Sequence, residues 1–403
     1  MSLNDTPSSE RVHIAFFGKR NAGKSSAVNA ITNQNIAVVS DIKGTTTDPV
    51  YKSMELLPVG PVMIIDTPGI DDEGVLGALR IQKAHQILNK TDIAVLIVDG
   101  VSGMSEDDRT LIEIFKDKNI SFITVYTKAD MLDTVPAVSE NEIYISAKTG
   151  FNIDALKNLI GSLAKSEESD KRIIGHLLKP DDVVILVVPI DSSAPKGRLI
   201  LPQQQTIRDI LESHAVTMVV QPDQLRPLLG TLIRKPALVV TDSQAFRKVA
   251  SDTPEDILLT SFSILFANYK GILSQAVSGV NALDAITDND KILIAEGCTH
   301  HRQCEDIGTV KLPAMIEKYS KSKPVYEFSS GTGFPDDLSE YKMIIHCGGC
   351  MLNEREVQYR CRCASRNNIP FTNYGTALSY MNGILQRTLR IFPDIHSLLI
   401  NQK

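Results

Sequence analysis

Six cysteines, Cys298, Cys304, Cys347, Cys350, Cys361 and Cys363, lie within 66 residues of each other in a chain of 403. Three of them follow apolar runs. Residues 291–295 lead into Glu296-Gly297-Cys298-Thr299-His300, and residues 342–345 lead into His346-Cys347-Gly348-Gly349-Cys350. Thiolate and imidazole are ligands for soft and borderline metals. Cys347-x-x-Cys350 can put two sulfurs on one metal, because the two glycines let the loop wrap tightly. Cys298 supplies a third sulfur from the neighbouring loop. Three thiolates with a histidine suit tetrahedral zinc. Three thiolates alone suit a 4Fe–4S cluster with one iron left to a weaker ligand. The spacing does not separate these two, and a redox dithiol is a third use of C-x-x-C. His300 and His346 are candidates for a fourth ligand or for groups that tune the metal from behind, with His301 and Cys304 in reserve. Cys361 and Cys363, two apart on a predicted helix, cannot share a face and read as packed thiols.

A second set of chemistry-bearing residues lies far upstream. The apolar run 12–17 is followed by Gly18-Lys19-Arg20-Asn21-Ala22-Gly23-Lys24-Ser25, with Ser26 next. G-x-x-x-x-G-K-S opening a helix is a phosphate cradle, to which Gly18, Asn21, Ala22, Gly23 and Ser26 are expected to contribute. Its backbone N–H groups close on the phosphates, Lys24 reaches the β- and γ-phosphates, and the Ser25 hydroxyl binds magnesium. Ile64-Ile65-Asp66-Thr67-Pro68-Gly69 ends in D-x-x-G, where Asp66 holds magnesium and the Gly69 amide senses the γ-phosphate. Between the two, Gly44-Thr45-Thr46-Thr47-Asp48 offers hydroxyls in a loop able to order around that magnesium. Residues 93–98 and 122–126 are further apolar runs, the second ending in Thr127-Lys128-Ala129-Asp130. Asp130 can pair with the guanine N1–H and 2-amino group together, which adenine cannot satisfy. Residues 143–145 then lead into Ser146-Ala147-Lys148, the loop on the guanine side. Five motifs in order, each at a strand end, place GTP along the carboxyl edge of a parallel sheet.

These loops need strands and helices behind them, and the pattern supplies an α/β chain. A length of 403 residues exceeds one core and predicts several domains. The charged run 164–172 is the predicted boundary of the first. Residues 1–165 form the nucleotide-binding domain, with a parallel sheet and flanking helices, and 166–175 a linker. Residues 176–265 form a small middle β/α domain, and 266–403 the domain that carries the thiols. In the middle, strands are expected at 183–190, 217–220, 237–241 and 257–261, and helices at 203–213, 223–231 and 243–250. That domain shows no chemistry-bearing cluster, since His176 and His214 are isolated and the Gly/Pro-containing loop 191–199 reads as a connection. Self-association or docking is its expected role. Beyond it, helices are expected at 268–286, 307–319, 354–367 and 377–391, and strands at 291–295, 325–328 and 342–345.

Composition narrows the function classes. Net charge is −6, Trp is absent and aromatics make up 5%, so nothing resembles a basic, aromatic surface for nucleic acid. Hydrophobic content of 43% with 22% charged residues is ordinary for a soluble globular protein. The polar stretch 1–11 lacks the apolar core of a signal peptide, and runs such as 183–190 are too short to span a membrane. A cytoplasmic location is expected, where clustered thiols favour metal or redox chemistry over disulfides.

The motifs of residues 10–165 resemble the Era/TrmE-like branch of small GTPases, through Gly44-Thr45-Thr46-Thr47-Asp48, Asn21 and the segment 40–45. That resemblance implies potassium contacts at Asn21, Ser40, Ile42 and Thr45, and a magnesium contact at Thr46. Two positions depart from the pattern. Thr127 stands where the base-reading motif usually has Asn, and Ile70 stands where Ras-type enzymes carry a water-orienting Gln. Slow hydrolysis is expected, helped by Lys24 and Gly69, with Asp71, Asp72 and Glu73 the nearest carboxylates. With Cys298-x-His300 followed after 45 residues by His346-Cys347-x-x-Cys350, the whole chain resembles the HydF-type maturation GTPases of iron-only (FeFe) hydrogenases. The resemblance implies a 4Fe–4S cluster on Cys298, Cys347 and Cys350, and a middle domain that dimerises. It also implies a scaffold and carrier role for a di-iron precursor, loaded by radical SAM maturases and passed to the apo-hydrogenase. The competing reading is an RNA-modifying or ribosome-assembly GTPase with a structural zinc site.

Overall fold

The computed structural model describes residues 6–34, 49–67, 84, 86–167, 171–190, 199–297, 307–331 and 333–400. The chain divides into two compact units, Met1–Asp170 and Lys171–Lys403.

The first unit is built on a six-stranded sheet of β1 (Val12–Gly18), β2 (Val50–Leu56), β3 (Gly60–Asp66), β4 (Ile93–Asp99), β5 (Ser121–Thr127) and β6 (Glu142–Tyr144), in the order β2-β3-β1-β4-β5-β6. The central strands are almost wholly buried runs, as parallel strands covered on both faces must be. Alternate residues feed different layers. Ile14 and Phe16 pack with Ala27, Val28, Leu156 and Ile160, the side of helices α1 (Lys24–Thr32) and α3 (Ile153–Glu167). Ala15 and Phe17 pack on the opposite face with Leu111 and Phe115 of α2 (Glu106–Asp117). A capping box starts α2, with the Ser105 amide donating to Asp108 Oδ2 at 2.9 Å. The sheet departs from the expected all-parallel arrangement at one edge. There β2 runs antiparallel to β3 across a tight turn at Gly60, whose φ of +95° favours glycine.

The second unit carries two four-stranded sheets, all of whose strand pairs are parallel. One is ordered β10-β9-β7-β8, from β7 (Val183–Val187), β8 (Val216–Val220), β9 (Leu238–Thr241) and β10 (Leu258–Ser261). The other is ordered β12-β11-β13-β14, from β11 (Lys291–Glu296), β12 (Val325–Ser330), β13 (Met343–His346) and β14 (Phe371–Asn373). Helices α4 (Leu201–Glu212), α5 (Leu225–Thr231) and α6 (Phe246–Asp252) follow strands of the first sheet. A single hydrophobic cluster runs from Val184 and Leu186 through Phe262–Ala267 to Ile292–Ala295 and Ile344, so the two sheets share one core. Helix α7 (Phe262–Tyr269) straddles residue 265, the expected end of the middle domain, and is buried in that core.

Two expected helices are broken. In place of one helix over 268–286 there are α7, then α8 (Leu273–Gly279), then a 3-10 stretch Val280–Ala285. The break is Gly271, left-handed at φ +70°. In place of one helix over 377–391 there are α11 (Tyr374–Met381) and α12 (Leu385–Thr388), separated by Gly383 at φ +72°, and then α13 (Pro393–Ile400). Strand β14, three residues long, was hidden from periodicity by its shortness. Helices α9 (Leu312–Ser320) and α10 (Glu354–Arg366) stand close to where the pattern put them, α9 after a π turn at Ile307–Lys311.

Helix α8 lies so close to β14 that a Cβ on Gly279 would fall 2.3 Å from the Phe371 carbonyl oxygen and 2.7 Å from its nitrogen. Backbone cannot yield as a flexible side chain can. Gly279→Ala should therefore cost about 2 kcal/mol of stability or more through overpacking, read from urea unfolding of the full chain.

Candidate functional site

Both units place their chemistry where parallel sheets place ligands. In the first, the chain leaves β1 toward β3 on one side and later crosses to β4 on the other, so the switch of direction falls between β1 and β4. The loop after β1 occupies that crevice. A Cβ on Gly18 would come within 2.4 Å of the Ile97 carbonyl of β4, so only glycine brings the strands this close. Asn21 (φ +60°) and Gly23 (φ +88°) then turn the backbone into the N-terminus of α1, whose free amides and dipole favour phosphate. Lys24 Nζ pairs with Asp66 Oδ1, joining the loop after β1 to the end of β3. Ser25 is half-buried and Ser26 exposed at the same helix end.

The base-reading loops meet this cradle. Thr127 Oγ1 lies 2.5 Å from the Ala22 carbonyl oxygen and 3.2 Å from that of Val98, so a hydroxyl ties the loop after β5 to the phosphate loop. Lys128 Nζ donates to Asp99 Oδ2 at 2.5 Å. Burial works to raise the Asp99 pKa, but the Lys128 bond and the amides of Val101 and Ser102 hold it below the ordinary value. Asp130 is exposed, and Ser146 Oγ donates to its Oδ1 at 2.7 Å, the main cause of a lowered pKa there. Buried Ser146 is itself fixed by its N–H on the Phe151 carbonyl, 3.1 Å away. Ala147 is half-buried and Lys148 exposed on the same loop. Ser40, Ile42, Thr45, Thr46, Gly69 and Glu73 lie outside the described residues.

In the second unit the same rule selects the thiols. The chain goes from β11 to β12 on one side and then crosses to β13 on the other, so the switch falls between β11 and β13. Their last paired residues are Ala295 and His346, and the Cys347 amide donates to the Ala295 carbonyl at 2.8 Å. Cys347 Sγ accepts N–H groups from Gly297 at 3.1 Å and Gly349 at 3.3 Å. The two loops also touch, since a Cβ on Gly297 would fall 2.6 Å from Leu352 Cγ. Gly349 (φ +61°) makes the turn between the two cysteines. Burial pushes both thiols up from their usual pKa; the two amides oppose this at Cys347, and the nearby Lys270 charge opposes it at Cys350.

His346 is fully buried. Its Nδ1 is 2.7 Å from the Cys347 carbonyl oxygen, and its Nε2 is 3.3 Å from Arg360 Nη1. Arginine only donates, so Nε2 accepts and Nδ1–H donates. Burial, reinforced by the Arg360 charge, pushes the His346 pKa down to about 3, so the ring is neutral. Both its nitrogens are thus engaged by protein, which fits the supporting rather than the ligating role. Arg360 also bonds Glu356 at 2.9 Å and the Gly331 carbonyl at 2.5 Å, and lies 5.2 Å from the centre of the Phe334 ring. Cys361 is buried and Cys363 half-buried on the same helix. Cys298, His300, His301 and Cys304 lie outside the described residues. Among the described residues no group of three or more His, Cys, Asp or Glu forms a metal site. Lys270 and Arg360, which contact this loop and its supporting histidine, carried no signal in the sequence, because each is a single basic residue far from the motif.

The cradle, the Asp66 strand end and the base-reading loops define a P-loop GTPase joined to a second α/β unit. Residues 13–128 match the family model described as 50S ribosome-binding GTPase. Residues 173–271 match the hydrogen maturase F dimerization domain, and residues 274–391 the hydrogen maturase F tetramerization domain. The chain belongs to the hydrogen maturase F family. The stretch expected to carry the thiol chemistry thus matches an assembly module, which its sequence pattern did not disclose. Among similar proteins, the tRNA modification GTPase MnmE of Desulforamulus reducens is 31% identical over 158 residues, covering 38% of this chain and 34% of its own. GTPase Der of Kosmotoga olearia is 30% identical over 188 residues, covering 42% of each chain. The chain thus spans roughly a third to two fifths of the length of the curated relatives it matches. A solved Era structure from Aquifex aeolicus, bound to GDP.AlF4-, is 18% identical with a TM-score of 0.35, covering 59% of this chain and 97% of that one. No described helix is long and apolar enough to cross a membrane.

The Thr127 hydroxyl generates a test. Thr127→Val removes the donor from two carbonyls and should weaken GDP binding roughly tenfold, whereas Thr127→Ser should stay near the parent, both measured by calorimetric titration.

Proposed function

We propose that the chain is a GTP-hydrolysing scaffold and carrier for the di-iron precursor of the iron-only hydrogenase active site. In this reading Cys298, Cys347 and Cys350 hold a 4Fe–4S cluster. The observation that carries it is the meeting of the Cys347–Cys350 loop with the strand end before Cys298 at the β11/β13 switch point, in a chain of the hydrogen maturase F family. The donor chemistry fits the group. A sulfur that accepts two backbone N–H groups, as Cys347 does, is the kind that supports a cluster thiolate. When bound, such a cluster supplies an iron with an exchangeable position. The residues of this chain do the rest: Gly348 and Gly349 wrap the loop, His346 braces it through the Cys347 carbonyl, and His300 and Cys304 are the candidates for the fourth position.

On the nucleotide side, Ser25, Thr46 and Asp66 hold magnesium, and Lys24 and the Gly69 amide meet the γ-phosphate. Asn21, Ser40, Ile42 and Thr45 hold potassium, and Thr127, Lys128, Asp130, Ser146, Ala147 and Lys148 bind the base. Hydrolysis is slow, since Ile70 cannot orient water, and Glu73 is the assisting carboxylate. GTP turnover regulates association with the apo-hydrogenase and the radical SAM maturases in the cytoplasm. The chain dimerises through the middle region, which the dimerization-domain match supports.

Anaerobic iron and sulfide analysis with EPR tests this reading; stoichiometric zinc without iron would overturn it. Cys347→Ala, Cys350→Ala and Cys298→Ala should each abolish the cluster signal, while Cys361→Ala and Cys363→Ala retain it. Lys24→Ala should abolish GTP turnover and leave the cluster spectrum unchanged.

A further inference from the structure

Among the described residues, Lys270 and Arg360 are the buried lysine and arginine. Arg360 is matched by Glu356 and serves His346. Lys270 faces the thiol loop itself. Its Nζ donates to the Gly349 carbonyl and, at 2.5 Å, to the Leu352 carbonyl, the two that bracket Cys350 in the sequence. The same nitrogen stands 4.0 Å from where a Cβ on Gly349 would lie, so it is packed on the turn between the two cysteines. Its backbone is held elsewhere: the Lys270 amide donates to the Phe266 carbonyl at 2.9 Å, at the end of α7 and before the break at Gly271. The lysine is therefore anchored in the core shared by both sheets and reaches across to the loop.

Burying an ammonium is costly unless its surroundings repay it. Two carbonyls turned onto one ammonium also fix the loop that presents them. A cluster on three thiolates is anionic, and more so when reduced. A fixed positive charge beside it stabilises the reduced form more than the oxidised one, and net charge near a cluster is one determinant of its potential.

We propose that Lys270 is the positioning residue of the thiol centre, clamping the Cys347–Cys350 loop through the Gly349 and Leu352 carbonyls and making the cluster easier to reduce. The second half of this proposal rests on the cluster reading above; the first does not.

The experiment compares full-length wild type with Lys270→Met and Lys270→Arg. Before cluster loading, hydrogen exchange is followed at the Gly349 and Leu352 amides, which donate to Cys347 Sγ and the Gly349 carbonyl. Lys270→Met should speed exchange there at least tenfold while the amides of β11 and β13 stay protected. After reconstitution, an EPR-monitored redox titration should show the one-electron equilibrium of Lys270→Met shifted at least tenfold toward the oxidised form, about 59 mV lower. Lys270→Arg should hold the potential near the wild-type value. Loop protection unchanged in Lys270→Met, or lost evenly across the unit, would overturn the clamp. An unchanged potential would overturn the electrostatic role. Lys270→Gln, a neutral donor, replaces Lys270→Met if that variant does not fold, and should keep more of the loop protection while lowering the potential. A wild-type protein that binds no iron yet shows lysine-dependent loop protection sinks the cluster reading and the electrostatic half, and leaves the clamp standing.

Discussion

The second unit depends on the 2.8 Å hydrogen bond from the Cys347 amide to the Ala295 carbonyl. It is the last rung between β11 and β13, and beyond it both strands release their backbones into loops. Because the strands are parallel, both loops emerge on the same edge. Because the chain pairs β11 with β12 on one side and with β13 on the other, the switch of direction falls between the ends of β11 and β13. Gly297 can then approach Cys347 Sγ from one loop while Gly349 approaches it from the other. One sulfur is held by both strand ends at once. The first unit repeats this arrangement with a different payload, since Gly18 at the end of β1 lies against Ile97 of β4 and leaves a crevice for phosphates.

How much of this could be read beforehand follows from what local pattern encodes. The buried strands Ile93–Asp99, Lys291–Glu296 and Met343–His346 were legible because continuous apolar runs ending at glycine or a thiol leave few alternatives. Lys24 and Asp66, expected around one phosphate and magnesium site, do lie side by side. Helix ends were legible only where the stopping signal was strong. The expected helices 268–286 and 377–391 run through Gly271 and Gly383, although each of these glycines sits in the left-handed region and ends its helix. The antiparallel edge strand Val50–Leu56 was missed because its side chains are largely solvent-facing, so it lacks the apolar run that marked its neighbours.

What the sequence could not disclose is long-range and polar. Lys270 lies 79 residues from Gly349 and 82 from Leu352 along the chain, and its two acceptors are backbone carbonyls that carry no residue signature. Arg360 reads as an ordinary helix cation between Tyr359 and Cys361 until its burial is known. Assembly was equally opaque in the C-terminal part, since an interface for a second copy uses the same apolar residue types as a core.

The polar layer behind the thiol loop bears on how still that loop can be. A buried arginine is tolerable only when its donors are taken up, and Arg360 spends its own on Glu356, the Gly331 carbonyl and His346 Nε2. That choice has the histidine neutral with its proton on Nδ1, where the Cys347 carbonyl accepts it. The Cys347 backbone is consequently pinned on both sides, by its N–H to β11 and by its C=O to His346. Removing either arginine or histidine would leave a buried polar partner unmatched, a cost that well-packed apolar residues would have avoided. A fold that needed only stability had cheaper options at this position. The network is better understood as holding one residue in one place, so that the sulfur it carries meets the N–H groups of both strand-end loops.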